Sequence, residues 1–298
     1  MLYYRRKILL ALLEMFNGHL TAIQIQKYLF LLTRLQANKT YYFVPYKYGC
    51  FSFQANQDLT TLSTYGYVKL DDNSCTLVDT KQSYLAQLNL FDQQHIREIY
   101  TSFSAMSQDE LIAYTYIHYP YYAINSTIAN QLLTQEQIDK INLQKPHKTQ
   151  QQLFTIGYEG VSLEEYINKL LLADIPLLCD VRKNAYSQKY GFSKSQLQKA
   201  CEGVGVRYVH VPSLGIESNK RQELKTQRDY DILFDDYERT TLKENAESIK
   251  YVSSLLIHYK RIALTCFEKN PAQCHRSRVA NAIVQYTNRQ YPLSNIIF

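Results

Sequence analysis

The sequence predicts two domains of different class, an N-terminal α+β domain and a C-terminal α/β domain with a three-layer, mostly parallel, Rossmann-like sheet. Beyond about residue 153, short β-prone apolar runs alternate with amphipathic helical segments, which is the pattern of a parallel sheet. The first 80 residues instead combine helical periodicity with a hairpin pattern. Between them, residues 145–152 contain Pro146 and otherwise only polar side chains. We therefore expect a domain at 1–80, a helical connector and linker at 81–152, and a second domain at 153–298.

Composition restricts the class of protein. The chain has 298 residues, 46% of them hydrophobic and 20% charged, which is enough for two domains with their own cores. No apolar run approaches the roughly 20 residues that a membrane span needs. Glu14 interrupts the apolar stretch that follows Arg5 and Arg6, which argues against a secretory signal. Six cysteines scattered through apolar segments are typical of a reducing compartment. We expect a cytoplasmic protein with no membrane partner.

The net charge of +6 permits a nucleic-acid partner without requiring one. Tyrosine is abundant, with 27 residues, and tryptophan is absent. Tyrosine rings can stack on bases, but ordinary core and surface positions explain most tyrosines in such a composition.

The first 80 residues predict the order helix, helix, aromatic segment, helix and hairpin. Apolar residues recur at helical spacing in the first two segments, and Thr21 is a suitable N-cap for the second. Asp71-Asp72-Asn73 supplies the turn of the hairpin. The predicted helices are Tyr3–Phe16, 22–35 and Ala55–Thr64, the hairpin strands are Tyr67–Leu70 and Cys75–Val78, and Lys39–Val44 is β-prone.

This order is that of a winged helix-turn-helix-like domain. Residues 46–68, YKYGCFSFQANQDLTTLSTYGYV, resemble a segment of the winged-helix-like modules found in bacterial antitoxin-like and defence-associated proteins. The resemblance implies either DNA contact, for which phosphates require only a basic face, or a protein-interaction or dimerisation element. Eight basic residues against five acidic ones in residues 1–80 do not decide between them.

Residues 81–145 predict a polar, helical connector. The candidate helices are Asp92–Phe103, Gln108–Ile117 and Thr134–Lys140. The aromatic segment Tyr114–Tyr122, broken by Pro120, could form either a stacking platform or a wedge between domains.

The second half predicts alternating strands and helices, with Ser162 as the N-cap of the first helix. No G-x-G-x-x-G follows the first strand, so a dinucleotide is not the expected ligand. The predicted strands are Leu153–Gly157, Pro176–Val181, Arg207–Val211 and Ile262–Cys266, with a last one near the C-terminus; the helices are Leu163–Ala173, Ser193–Val204, Ala246–Tyr259 and Cys274–Tyr286, and a polar excursion spans Leu214–Glu238.

Four motifs of this half occur in a recognisable order: TIG, DVR, YVHVPSLG and CFE followed by CHR. Over residues 153–286 the chain resembles the bacterial and archaeal domain-of-unknown-function family 488. The resemblance implies a fold and a site more firmly than a reaction. Members of the family often occur near DNA-modification or defence functions, which by association favours DNA, including modified or foreign DNA, as a partner.

The motifs place chemically active residues at one edge of the predicted sheet. Asp180 ends the second strand, and Cys266 and Glu268 follow the fourth. Because parallel strands end at the same edge, His275 on the closing helix would join them. Glu268 or Asp180 could act as a general base or stabilise positive charge on a sugar, and His275 could be the general acid. Cys266, near a helix start, could be a nucleophile.

Basic and aromatic residues near this edge are candidate ligand-binding groups. Arg182, Arg276 and Arg278 could contact phosphate, assisted by the helix N-terminus. Lys183 and Tyr186 belong to a basic loop that could follow a nucleic-acid backbone. In the polar excursion, Arg221 and Tyr230 could fold over the site, because long loops in compact domains are usually functional or disordered.

Each of these residues also has a structural interpretation. Asp180 and Arg182 could be a buried ion pair, Glu268 could pair with Arg276 or Arg278, and Cys266 could be a small core residue. Cys266, Cys274 and His275 could in principle bind a metal, but the C-x7-C-H spacing matches none of the common zinc signatures. A cysteine phosphatase loop needs an arginine where this chain has Ala272 and its neighbours. We therefore predict no metal and no cofactor.

The leading hypothesis is a DNA- or nucleotide-directed hydrolase, of the DNA glycosylase or nuclease kind, that cleaves a base–sugar or phosphate linkage in bacterial defence. An alternative is a winged-helix DNA-binding regulator whose C-terminal pocket senses an anionic small molecule or nucleotide. A third hypothesis is a non-enzymatic interaction component of a defence system.

Overall fold

The computed structural model describes residues 2–217, 220 and 224–298. The chain divides into two compact units, Met1–Lys145 and Pro146–Phe298. Among the described residues, no helix is both long enough and apolar enough to cross a membrane. All six cysteines lie in the described part of the chain, are buried and form no disulfide.

The N-terminal unit combines α-helices with short antiparallel strands. Strand β5 pairs with both β1 and β4, and β2 pairs with β3 in a separate hairpin. The helices are α1 (Tyr4–Met15), α2 (Ala22–Leu35), α3 (Phe53–Thr64), α4 (Leu90–Phe103), α5 (Gln108–His118), α6 (Ala129–Leu132) and α7 (Gln135–Asn142). The strands are β1 (His19–Thr21), β2 (Val44–Tyr46), β3 (Gly49–Phe51), β4 (Val68–Asp71) and β5 (Ser74–Leu77).

Local sequence explains where α2 begins. Thr21 and Gln24 form a capping box in which each side chain accepts from the other residue's backbone N–H, as the N-cap prediction requires. Every residue of α2 from 25 to 33 is buried, so this part of the helix is covered on all sides. The segment predicted as a connector packs on the same core through residues such as Ile96 and Leu111. The β-prone run at 39–44 becomes a strand only from Val44 onwards, where β2 finds β3 as a partner.

The C-terminal unit contains a five-stranded parallel sheet of order β10–β6–β9–β7–β8, as the alternation of strands and helices predicts. The strands are β6 (Gln152–Gly157), β7 (Leu177–Asp180), β8 (Arg207–His210), β9 (Arg261–Cys266) and β10 (Leu293–Ile296). The helices are α8 (Leu163–Leu172), α9 (Lys194–Gly203), α10 (Gln227–Tyr237), α11 (Ala246–Tyr259) and α12 (Arg276–Tyr286).

The register of this sheet aligns the strand ends that matter for function. Gly157 at the end of β6 is opposite Cys266 at the end of β9, and Asp180 at the end of β7 is opposite His210 on β8. Four strands therefore end at one edge, which is where ligands bind in open parallel sheets.

The predicted polar excursion at 214–238 is only partly a loop. Its described part includes α10, which begins with a capping box between Thr226 and Asp229. Phe234 and Tyr237 are buried on the core side of this helix. The prediction of a long loop was wrong there. Most residues of this segment are polar, which indicated a loop, but a few apolar residues on one side are enough to pack a helix against the core.

Candidate functional site

A buried ion pair forms one side of the edge where the strands end. Asp180 is fully buried and accepts hydrogen bonds from the Arg182 guanidinium, with Nε 2.8 Å from Oδ1, and from the Tyr208 hydroxyl at 2.6 Å. Arg182 Nη1 also donates to the Tyr158 hydroxyl at 2.6 Å and to the Phe192 carbonyl at 2.8 Å. This guanidinium is therefore shared among several acceptors of the protein itself.

The surroundings of Arg182 favour its charged form. Burial alone would lower the pKa of Arg182, but hydrogen bonding to and attraction by Asp180 outweigh burial and raise it. Burial, and then the negative charge of Asp180, raise the pKa of Tyr208. Both oxygens of Asp180 are thus occupied by hydrogen-bond donors of the protein, as the ion-pair interpretation of the sequence proposed.

His275 is held so that one ring nitrogen faces Cys266. Its Nε2 donates to the Val181 carbonyl at 2.9 Å, since a carbonyl can only accept. In the neutral ring this leaves Nδ1 as an acceptor, and Nδ1 lies 3.7 Å from Cys266 Sγ. The Tyr237 ring packs edge-on against the imidazole at 5.8 Å. The arrangement suits Nδ1 either to take a proton or to bind a metal ion.

Glu268 completes a contiguous group of titratable side chains. Its Oε2 lies 3.4 Å from Cys266 Sγ. The loop that carries it passes so close to β6 that a Cβ on Gly157 would collide with the Glu268 carbonyl oxygen, which explains the glycine of the TIG motif. Arg276 is 1% exposed and donates through Nη1 to that carbonyl at 2.5 Å and through Nη2 to the Lys269 carbonyl at 3.3 Å.

Cys274 lies behind this group. The ligand atoms of Cys266, Cys274 and His275 all lie within 4.8 Å of one another, so these three residues could hold a metal ion. Burial, followed by interaction with Cys266, raises the pKa of the Cys274 thiol. In the absence of a metal, Cys274 is therefore a neutral thiol.

A cavity of about 310 Å³ opens onto Cys266 and His275. Tyr158, one of its walls, stacks on Phe192 with ring centroids 4.3 Å apart. Tyr186 is 72% exposed at its rim. The side chains most relevant to ligand binding are those of Tyr158, Arg182, Lys183, Tyr186, Cys266 and His275.

The loop that carries Lys183 is fixed by two contacts. His210 Nε2 donates to the Arg182 carbonyl at 2.8 Å. Gly215 lies so close to this loop that a Cβ there would collide with the backbone nitrogen of Lys183, which explains the glycine of the SLG motif. Lys183 itself is only loosely paired, with its Nζ 4.0 Å from Glu217.

The structure brings together Asp180, Arg182, Cys266, Glu268 and His275, all chosen from sequence. Arg276 contacts backbone carbonyls, and Arg278 pairs with Glu238 at 3.1 Å. Tyr230 lies against Phe234 on α10. The predicted lid residue Arg221 lies outside the described residues.

Sequence reasoning missed the two phenols, Tyr158 and Tyr208. Tyr208 is the first residue of the YVHVPSLG motif, but nothing in that motif indicates that its hydroxyl bonds to Asp180. The position of Tyr158, directly after the first strand, was the available signal.

Residues 162–283 match the family model described as domain of unknown function DUF488. This match confirms the family resemblance of the C-terminal region, and it includes Asp180, Cys266 and His275. No curated protein and no solved structure matches the chain significantly.

Proposed function

We propose that the C-terminal unit is a hydrolase that cleaves a base–sugar or phosphate linkage in DNA or a nucleotide. The observation that carries the proposal is the contiguous group formed by Glu268, Cys266 and His275 beside a cavity with a basic, aromatic rim. Such a group can accept and return protons at a reacting atom, and a cleft is where it is useful.

The rim favours a substrate that is both anionic and aromatic. Lys183 supplies a cation whose only ion-pair partner among the described residues is 4.0 Å away, so a phosphate could compete for it. The exposed Tyr186 ring offers a face on which a base could stack. The guanidinium of Arg182 already donates to Asp180 and to the Tyr158 hydroxyl. We therefore propose that Arg182 positions Tyr158 in the cavity wall and does not bind phosphate directly.

The catalytic roles follow from position and protonation. Glu268 is half-buried and suits the role of the general base that takes a proton from water or from Cys266. His275, when protonated, would carry its second proton on Nδ1, facing Cys266, and could return a proton to the leaving group. Cys266 itself or an activated water could supply the nucleophile.

The N-terminal unit would bring this site to its target. The order of α1, β1, α2, α3, β4 and β5, with the antiparallel β1–β5–β4 sheet, supports a winged-helix-like module. We propose that it binds DNA, so that the protein acts on modified or foreign DNA. A module that instead binds a protein partner would leave the C-terminal chemistry unchanged.

The test is incubation of the full-length protein with plain DNA, modified-base DNA and free nucleotides. Released base, abasic sites, strand breaks and inorganic phosphate would be scored separately. We expect product with the wild-type protein and a loss of about 10²- to 10⁴-fold in kcat for Glu268→Gln, because the amide cannot take a proton. Glu202→Gln, which changes an exposed carboxylate on α9, is the matched control.

The outcome also separates an enzyme from a sensor. Salt-sensitive binding of DNA or nucleotide by both wild type and Glu268→Gln, with no product in any sample, would overturn the hydrolase. It would favour a regulator whose C-terminal cavity senses an anionic ligand.

A further inference from the structure

We propose that Cys266, Cys274 and His275 bind a Zn²⁺ ion, and that the remaining coordination position faces the cavity beside Glu268. The binding of the ion stands independently of the proposed hydrolytic function. The use of the ion in catalysis rests on that function.

The distances between the three side chains fit a tetrahedral site. With Zn–S near 2.3 Å and Zn–N near 2.0 Å, a sulfur and a nitrogen on one zinc ion lie roughly 3.5 Å apart. Cys266 Sγ and His275 Nδ1 are already 3.7 Å apart. All three ligand atoms lie within 4.8 Å of one another, so small side-chain rotations would complete the triangle.

The second nitrogen of His275 has the partner that metal-bound histidines usually have. Metal-ligating imidazoles almost always donate their other N–H to a carbonyl or carboxylate, which fixes the tautomer and aims the lone pair. Here Nε2 donates to the Val181 carbonyl at 2.9 Å, and Nδ1 is aimed at Cys266.

The backbone that carries the ligands is braced. Cys266 is the last residue of β9, and His275 is the N-cap of α12. Ser277 donates to the Pro271 carbonyl at 2.6 Å across the intervening turn, and Arg276 holds the carbonyls of Glu268 and Lys269. A site between a strand end and a helix start explains why the C-x7-C-H spacing resembles no zinc signature, because those signatures describe ligands in tight knuckles.

The donor set selects the metal. Two thiols and an imidazole suit zinc or another thiophilic ion, whereas Mg²⁺ and Ca²⁺ require oxygen ligands. Three protein ligands with one open position are the arrangement of catalytic rather than structural zinc. With the ion bound, Cys266 and His275 Nδ1 would be metal ligands, so Glu268 would take over the acid–base role that His275 has in the metal-free site. A water at the open position would lie near Glu268, which would take its proton as the water oxygen bonds to carbon or phosphorus, and would pass that proton to the leaving group as its bond breaks.

The experiment uses the full-length protein, reduced and stripped of metal with a chelator. Titration with Zn²⁺ and with Co²⁺ would be followed by elemental analysis and by the near-ultraviolet band of thiolate-to-cobalt charge transfer. We expect one equivalent of either ion to bind, with the band present. Losing the hydrogen-bond partner of a metal ligand typically lowers metal affinity by roughly 10- to 100-fold. Removing a ligand itself should have a larger effect, so Cys274→Ala and His275→Gln should each weaken Zn²⁺ binding by at least about 100-fold.

Cys201→Ala is the matched control, because Cys201 is also a fully buried free thiol but lies on α9. It should keep full metal binding, and circular dichroism would verify that each variant is folded. Bound Zn²⁺ should also protect Cys266 and Cys274 of the wild-type protein, but not Cys50, from alkylation during partial unfolding. Failure of the wild type to bind one equivalent, or binding that survives in both ligand variants, would overturn the proposal.

The two proposals fail in different ways. Stoichiometric metal binding with no hydrolysis of any substrate would remove the proposed function and leave the zinc site. Hydrolysis by metal-free protein that still depends on Glu268 would remove the zinc site and favour the Cys266 sulfur as nucleophile.

Discussion

Each unit of the protein buries one aspartate completely and surrounds it with arginine and tyrosine. In the N-terminal unit, Asp58 accepts from Arg5 at 2.5 Å, from Arg6 at 2.8 Å and from the Tyr41 hydroxyl at 3.1 Å. In the C-terminal unit, Asp180 is bound by Arg182 and Tyr208. The chemistry of the two clusters is nearly the same.

Their positions differ. Asp58 on α3 is bonded by arginines from the start of α1, so the N-terminal cluster ties two helices together. A cavity of about 560 Å³ in the same unit has other lining residues, among them Lys27. Arg182, in contrast, lies two residues from Asp180 and forms part of a cavity wall next to Cys266. A buried ion pair therefore becomes evidence for a site only when it lies at converging strand ends beside a cavity.

The largest effect on stability is expected at Asp58, in the N-terminal cluster. Asp58→Ala would leave two arginines without their buried partner and should lower the free energy of unfolding by about 3–5 kcal/mol. Urea unfolding, combined with hydrogen exchange measured by peptide, would detect the loss and locate it in residues 2–145. Product formation per folded molecule should not change.

Asp109→Ala, which removes an exposed carboxylate from the first turn of α5, is the control and should cost well under half as much. Faster exchange in the C-terminal unit of Asp58→Ala, or loss of its activity, would contradict a purely structural role.

The second expected effect concerns the loop of the C-terminal cluster. A Cβ on Gly215 would collide with the backbone of Lys183, so Gly215→Ala should cost about 1–3 kcal/mol and displace the 182–183 segment. We expect faster hydrogen exchange at 181–186 and weaker nucleotide binding.

Gly160→Ala separates collision from backbone strain. Gly160 has a φ of +80° and no atom within 4 Å of an added Cβ, so only left-handed strain of about 1–2 kcal/mol applies. If both variants loosened 181–186 equally, the close approach at Gly215 would not be what positions Lys183.

These contrasts also indicate what the sequence alone could reveal. α11 is predicted to the residue, since periodicity is a local signal. The strand order is not local: β9 lies between β6 and β7 although it comes fourth in this domain. The motifs identified Asp180, Cys266 and His275 as neighbours because parallel strands end together. They did not reveal that Arg276 donates to the backbone carbonyls of the 268–269 loop or that Tyr158 and Tyr208 complete the network, because these contacts depend on packing between distant segments.

The smallest expected effect concerns a buried cation that, unlike Arg182, has no carboxylate partner among the described residues. Lys27 is 1% exposed; its Nζ donates to the Tyr48 carbonyl, lies 3.5 Å from Cys50 Sγ and is 5.5 Å from the centre of the Tyr116 ring. Burial lowers the pKa of Lys27 below its ordinary value of 10.5. The unfolded chain therefore binds more protons than the folded one between the two pKa values, and stability should rise with pH across that window.

Lys27→Met tests this directly, because the variant has no such group. The unfolding free energy of the wild type, relative to that of Lys27→Met, should increase by about 1 kcal/mol or more as the pH rises from below the folded pKa of Lys27 towards 10.5. Lys47→Met, at an exposed lysine that lines the same cavity, should show no such trend. If the difference in unfolding free energy between wild type and Lys27→Met did not change with pH, the Tyr48 carbonyl and the Tyr116 ring would stabilise the ammonium as well as Asp180 stabilises Arg182. A buried cation with a carboxylate partner and one without would then not differ in this respect.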